Sequence, residues 1–219
     1  YTPYVTKQLT VQSIENMQDT HMETLQKYFE DKLGKTSHTT GKNLLLFTAA
    51  AHSIRSVLEA DRKDILAGST IELLGLEEYR KVKRIYAGLE HPVTFHGVID
   101  RIDSKDGILR ILDYKTGQTK IKELHLSEIS DCLSNSVYAK SFQLLFYSML
   151  WLEDDSNSPF YAGVISLKNM FSGTMFLGLG TGRTKRTELV TEDLENFEKE
   201  LEKLVIEIYT PDIAFKEVI

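Results

Sequence analysis

Hydrophobic positions along the chain change period several times, and each change marks an element. From Thr10 to Leu33, Val11, Ile14, Met17, Leu25, Tyr28 and Phe29 recur at helical spacing, with Thr10 placed to cap the start and Gly34 to end it. A polar connector, Lys35 to Lys42, leads to a second helix from about Asn43 to Asp64, with Phe47, Ala50, Ala51, Ile54, Val57 and Leu58 on its apolar face. At Thr70 the period shifts toward two. Ile71 to Glu78 and Lys81 to Ala87 read as strands broken near Gly75 and Tyr79-Arg80, and Val93 to Gly117 reads as two more strands. A long polar connection, Gln118 to Asn135, follows, anchored by Leu124, Leu126 and Ile129; connections of this length are usually functional or mobile. Residues 136–152 are apolar nearly all round, which predicts a helix buried against the sheet, Trp151 included. Asp154 to Ser158 reads as a turn, and Phe160 to Leu167 with Met175 to Gly180 as a strand pair. Thr191 is placed to cap a last amphipathic helix to Tyr209, with Glu192 and Asp193 in its first turn and Pro211 as breaker. Its inner face carries Leu194, Phe197, Leu201, Leu204, Val205 and Ile208.

The turn between the third and fourth strands fixes a register. Asp106-Gly107 favours a two-residue type I′ hairpin, whose central residues both need φ > 0. With those two as the loop, Lys105 faces Ile108, Asp103 faces Arg110, Ile102 faces Ile111 and Asp100 faces Asp113, while Lys115 shares a face with Asp113. Val98, Ile102, Leu109 and Ile111 flank them on that face, so it is expected to point inward. Like charges directly opposite each other destabilise a sheet, and carboxylates near a core are costly unless paired or bound to metal. Two arrangements relieve the conflict. A hard divalent cation takes both carboxylates as oxygen ligands, or Lys115 neutralises them in a buried triad.

Composition narrows the field. With 219 residues, 42% hydrophobic and 26% charged, the chain can bury the core of one domain, or of a domain with a helical appendage. A net charge of −6, from 26 Lys+Arg against 32 Asp+Glu, excludes nucleic-acid binding driven mainly by bulk positive charge. It leaves room for a nuclease, whose metal supplies positive charge locally. The single cysteine, Cys132, excludes an internal disulfide and a multi-cysteine metal site, and fits a reducing cytoplasm. No apolar run is long enough for a membrane helix, and no signal peptide is visible. The start at Tyr1 and the end at Phe215 to Ile219 read as cuts from a longer polypeptide. Gly178 to Arg186 lacks the spacing of a phosphate loop, and Arg183, Lys185 and Arg186 read as a solvated hairpin tip. Glu77 and Glu78 read as solvated strand charges, and His21 as a surface or boundary residue. Lys115-Thr116-Gly117 matches the K-T-G of penicillin-recognising enzymes, but the chain has no S-x-x-K.

Three ordered segments carry a family resemblance. Gly97 to Asp103 (GVIDRID) and Ile111 to Gly117 (ILDYKTG) resemble the G-x-I-D-R-x-D and D-Y-K-T/S-x segments of the RecB-like branch of the PD-(D/E)XK nucleases. Gln143 to Tyr147 (QLLFY) resembles that branch's Q-x-x-x-Y helix motif. The likeness is strongest from Ile71 to Tyr147, and is nearest to the C-terminal nuclease domain of AddB-type helicase–nuclease subunits, particularly the Bacteroidetes-like ones. It implies a restriction-endonuclease-like α/β fold, a mixed sheet of about four to five strands flanked by helices. Residues 70–219 would form the nuclease core and 1–69 a helical appendage packed on it, or the whole chain one continuous domain. The implied activity is an exonuclease-like deoxyribonuclease that uses Mg²⁺ or Mn²⁺. The implied setting is cytoplasmic double-strand break repair beside a helicase subunit or domain, with DNA as substrate and no membrane.

By the same resemblance Asp100 and Asp113 are metal ligands, the Tyr114 carbonyl is a further one, and Lys115 joins the two aspartates in catalysis. Gln143 and Tyr147 position DNA. The family also takes a metal ligand from a helix-borne histidine. His52 to Glu59 matches the H-x-x-L-E form of that helix with the wrong spacing, so the resemblance implies a histidine helix upstream of Tyr1. It likewise implies any iron–sulfur or zinc cysteines in flanking segments. Without the histidine a different class stays open, a non-catalytic DNA-binding or scaffolding module.

Overall fold

A computed structural model describes residues 1–35, 37–152 and 159–210; the turn predicted at 154–158 and the breaker Pro211 lie outside them. The first two helices form as the apolar spacing predicts, α1 over Val11–Leu33 and α2 over Gly41–Leu66. Thr10 caps α1 reciprocally: its Oγ1 accepts the Ser13 N–H (3.1 Å) and its own N–H bonds Ser13 Oγ (2.8 Å). Ile14 and Met17 of α1 and Leu58 of α2 close a small core over Leu9, Ile71 and Leu73. Tyr28, expected on the inner face of α1, is instead exposed.

The strands are β1 (Ile71–Arg84), β2 (Val93–Lys105) and β3 (Ile108–Lys115), and β4 (His125–Leu126) follows in the long connection. After α3 (Asp131–Ser134) and α4 (Ala139–Trp151) come β5 (Phe160–Ser166), β6 (Thr174–Phe176) and β7 (Gly178–Leu179), then α5 (Thr191–Tyr209). The main sheet has five strands in the order β1-β2-β3-β5-β6. β3 and β5 are parallel, and the other neighbours antiparallel. This is the mixed, helix-flanked α/β sheet that the motifs imply.

Four local expectations need correction. The two strands expected over residues 71–87 are one strand, because β2 pairs along it from Lys105 to Val93 and its ladder outweighs the local breakers. The irregularity survives as a register shift at Leu73/Gly75 and a positive φ of 49° at Glu77. The connection 118–135 has structure of its own: Leu124 and Leu126 are buried, and β4 pairs in parallel with β7 as a second, two-stranded sheet. Gly178 and Leu179 therefore leave the strand pair with β5, which extends only to Phe176. Finally, Val190 rather than Thr191 occupies the cap of α5, where its N–H bonds the Asp193 carboxylate at 2.9 Å.

The main core lies where α4 and α5 cover one face of the sheet, uniting Ile99, Ile102 and Ile111 with Leu144, Leu145, Val164 and Phe197. α2 meets the opposite face through Asp61, which bonds Arg101 of β2. Among the described residues no helix is long and apolar enough to cross a membrane.

Candidate functional site

The Asp106-Gly107 turn adopts the two positive φ angles its sequence asks for, 55° and 83°. The register it dictates runs from Lys105↔Ile108 through Asp103↔Arg110 and Ile102↔Ile111 to Arg101↔Leu112, and there the β2–β3 pairing ends. Beyond that point β2 continues along β1, and β3 along β5 through Asp113↔Val164, Tyr114↔Ile165 and Lys115↔Ser166. Asp100 and Asp113 thus stand one residue past the last pair, at a fork. Across the fork the Asp100 carboxylate accepts the Tyr114 N–H at 2.8 Å. Ile99 and Ile102 both belong to the main core, so the strict alternation of β2 breaks at Asp100. The break lies between the pairs Leu76↔Arg101 and Glu78↔Ile99, beside the positive φ of Glu77. This is why Val98, expected to face inward, is 39% exposed while Ile102 and Ile111 are fully buried.

On the face toward α4, side chains follow one another in a line. Lys115 Nζ lies 2.8 Å from Asp113 Oδ2 and donates to Gln143 Oε1 at 2.7 Å. Gln143 Nε2 donates in turn to the Tyr147 hydroxyl at 2.7 Å, as side chains four apart on one helix can. α4 comes this close because position 97 is glycine: a Cβ there would sit 3.1 Å from Leu150 Cδ1 and 3.2 Å from Tyr147 Cε1. The buried Asp113 Oδ2 is ion-paired with the Lys115 ammonium. A buried carboxylate beside an ammonium, a second carboxylate across the fork and a neighbouring main-chain carbonyl are hard oxygen donors, and that donor set suits a divalent cation such as Mg²⁺, which keeps waters in its remaining positions. Among the described residues no three His, Cys, Asp or Glu side chains gather to hold a metal.

Asp113 is 3% exposed, and burial raises its pKa above the ordinary carboxylate value, with Asp100 adding to the rise and Lys115 and Lys140 opposing it. A raised pKa means that the ionised form costs stability at neutral pH, and that the cost disappears as pH falls through the folded-state value. Asp113→Asn should therefore raise the melting temperature of the metal-free protein at pH 7. The gain should shrink as the solution is acidified. Thermal unfolding at two pH values checks this.

Behind the fork, on the face toward α2, the cross-strand pair Asp103–Arg110 expected from the register belongs to a larger charged network that the sequence reading did not foresee. Arg101 is fully buried: its Nε donates to Asp103 Oδ2 (2.6 Å), Nη1 to Asp61 Oδ2 (2.8 Å) and Nη2 to Asp61 Oδ1 (3.3 Å). Nη1 also reaches the Tyr114 hydroxyl at 3.3 Å. Arg110 holds Asp103 from the paired strand at 2.6 and 2.9 Å, and the Tyr1 hydroxyl donates to Asp61 at 2.5 Å. The one available signal was an arginine between two aspartates in a strand of apolar neighbours, since a buried arginine requires partners.

Other candidates lie apart. His52 lines an apolar groove of about 770 Å³ with Tyr1, Tyr114, Thr116 and Lys168, away from the α4-facing line of Asp113 and Lys115. Glu77 is exposed. In the basic stretch, Arg186 is bound to Asp193 at 2.6 Å and Lys185 Nζ lies 2.7 Å from His125 Nδ1.

The family model of the PD-(D/E)XK nuclease superfamily matches residues 7–218. No curated protein matches the chain. No solved structure matches it either.

Proposed function

Because the chain belongs to the PD-(D/E)XK nuclease superfamily, we propose that it hydrolyses DNA phosphodiester bonds at the β2–β3 fork. In this reading it is a Mg²⁺- or Mn²⁺-dependent, exonuclease-like deoxyribonuclease, and the nuclease part of an AddB-type helicase–nuclease that works in the cytoplasm on double-strand breaks. The observation that carries the chemistry is the buried Asp113 carboxylate, ion-paired with Lys115 at 2.8 Å, with the Asp100 carboxylate across the fork on the Tyr114 N–H. Asp100, Asp113 and the Tyr114 carbonyl hold the cation. When bound, it polarises the scissile phosphate and eases deprotonation of the attacking water.

Lys115 is the working ammonium. Fixed by Gln143 Oε1 and by the Asp113 charge, it orients the attacking water and offsets negative charge that grows on the phosphorus oxygens in the transition state. Gln143 and Tyr147 lie next in line and position the strand being cut, so that water, phosphorus and leaving oxygen approach alignment. On this reading residues 70–219 are the nuclease core, and 1–69 a helical appendage packed on it through Asp61 and Arg101.

The test is cleavage of an end-labelled duplex and of a single strand, with and without Mg²⁺. Asp113→Ala should abolish the Mg²⁺-dependent products, and undiminished cleavage would end the assignment. One observation favours a second reading, a non-catalytic DNA-binding or scaffolding module: only two side-chain donors meet at the fork, where no third His, Cys, Asp or Glu among the described residues joins them. Calorimetric titration separates the two readings. Retained DNA affinity without Mg²⁺ or Mn²⁺ binding selects the module.

A further inference from the structure

Past the Arg101↔Leu112 pair, no main-chain ladder joins β2 to β3. The distance between Asp100 and Asp113 is therefore left to other contacts. On the site face there is one, the Tyr114 N–H to the Asp100 carboxylate (2.8 Å). On the reverse face there is a second closure. Arg101, next to Asp100, reaches from β2 to the hydroxyl of Tyr114, next to Asp113, on β3. The guanidinium is itself held: Asp61 of α2 takes Nη1 and Nη2, and Asp103 takes Nε. All three guanidinium nitrogens are engaged, and Arg101 and Asp103 have no exposed surface. Two-point binding by a planar fork restricts orientation as well as distance.

We infer that Asp61, Arg101 and Tyr114 form a strut that sets the spacing of Asp100 and Asp113, which makes them positioning residues for the metal site. The inference rests on the metal assignment at the fork. It extends that assignment by making α2, a helix from the N-terminal part of the chain, responsible for metal affinity. None of the three side chains needs to touch the cation. They act by keeping two mutually repelling carboxylates from spreading apart where the sheet no longer holds them. Hydrogen-bonded supports of metal ligands typically change metal affinity by about 10–100-fold when lost.

The experiment measures Mn²⁺ binding to the 219-residue chain by calorimetry, with circular dichroism and thermal unfolding alongside. The variants are Asp61→Asn, Arg101→Lys and Tyr114→Phe, with Asp113→Ala as control. Asp61→Asn keeps the shape of the carboxylate and removes its charge. Arg101→Lys keeps the charge and loses the fork. Tyr114→Phe removes a single hydroxyl, leaves the Tyr114 main chain in place and should fold as the parent does. The expected result is Mn²⁺ affinity at least about tenfold weaker in Asp61→Asn and Arg101→Lys, and severalfold weaker in Tyr114→Phe, at unchanged secondary structure. A purely structural role would lower melting temperatures and leave the affinity of the folded protein alone. Affinities within about twofold of the parent in Tyr114→Phe and in whichever of the other two folds would overturn the strut. The control keeps the two failures distinct. If Asp113→Ala binds Mn²⁺ as the parent does, or if the parent binds none, the metal assignment itself falls; if Asp113→Ala loses the ion while the strut variants keep it, the strut alone falls.

Discussion

Replacing Lys115 with Met should slow Mg²⁺-dependent DNA cleavage by about two to three orders of magnitude, the usual loss when a group that stabilises developing transition-state charge is removed. The same substitution should leave metal binding intact or tighten it, because the ammonium 2.8 Å from Asp113 Oδ2 opposes a cation at that oxygen. This split distinguishes catalysis from scaffolding. A lysine that merely neutralised a buried triad would, on removal, destabilise the fold and weaken cleavage only in proportion to the protein lost. Single-turnover cleavage and Mn²⁺ calorimetry on the same preparation separate the cases. Loss of cleavage together with loss of metal binding would count against the role given to Lys115.

The second large effect is on stability. Arg101→Met should destabilise the protein by about 3–5 kcal/mol, the range seen when one member of a buried ion pair is removed and the other stays charged. In a chain of this length that corresponds to a fall in melting temperature on the order of 10 °C or more. Asp103 keeps Arg110 as a partner at 2.6 Å, but Asp61, 7% exposed, loses the one cationic partner it has among the described residues. The cost should therefore be concentrated at Asp61. The double variant Arg101→Met/Asp61→Asn is expected to recover part of the loss, a coupling that a double-mutant cycle measures directly. Additive losses would mean that the two residues do not share the energy their geometry implies.

How far the site could be read from sequence depended on the range of the interaction involved. The hairpin was legible because its turn chemistry is local: two residues with φ > 0, Asp106 and Gly107, set the pairing up to Arg101↔Leu112. Beyond that pair, competition between strands decides. β1 claims the far end of β2, β5 claims that of β3, and no local pattern announces where the allegiance changes. β1 was misread as two pieces for a similar reason, since the length of a strand follows from its partner, and β2 offers twelve residues for pairing along it. That Gln143 and Tyr147 share a face followed from i, i+4 spacing, but the bond from Lys115 to Gln143 joins β3 to α4, and neither the motif nor the spacing announced it. The Asp61–Arg101 pair spans forty positions, and Asp61 lies on a helix whose apolar stripe gave no reason to single out one carboxylate. Its importance appears only once α2 has a place on the sheet.

The parallel pairing of β3 with β5 has a consequence for how the enzyme comes into being. The β2–β3 hairpin joins neighbours in sequence and can close within microseconds. Lys115, by contrast, meets Ser166 only after the intervening chain, α4 included, has been synthesised and looped across. A nascent protein released from the ribosome before residue 160 would hold both aspartates on a finished hairpin with no fork to place them in. If the proposed site is the catalytic one, its competence is conferred late, by a strand that contributes none of the residues assigned to it.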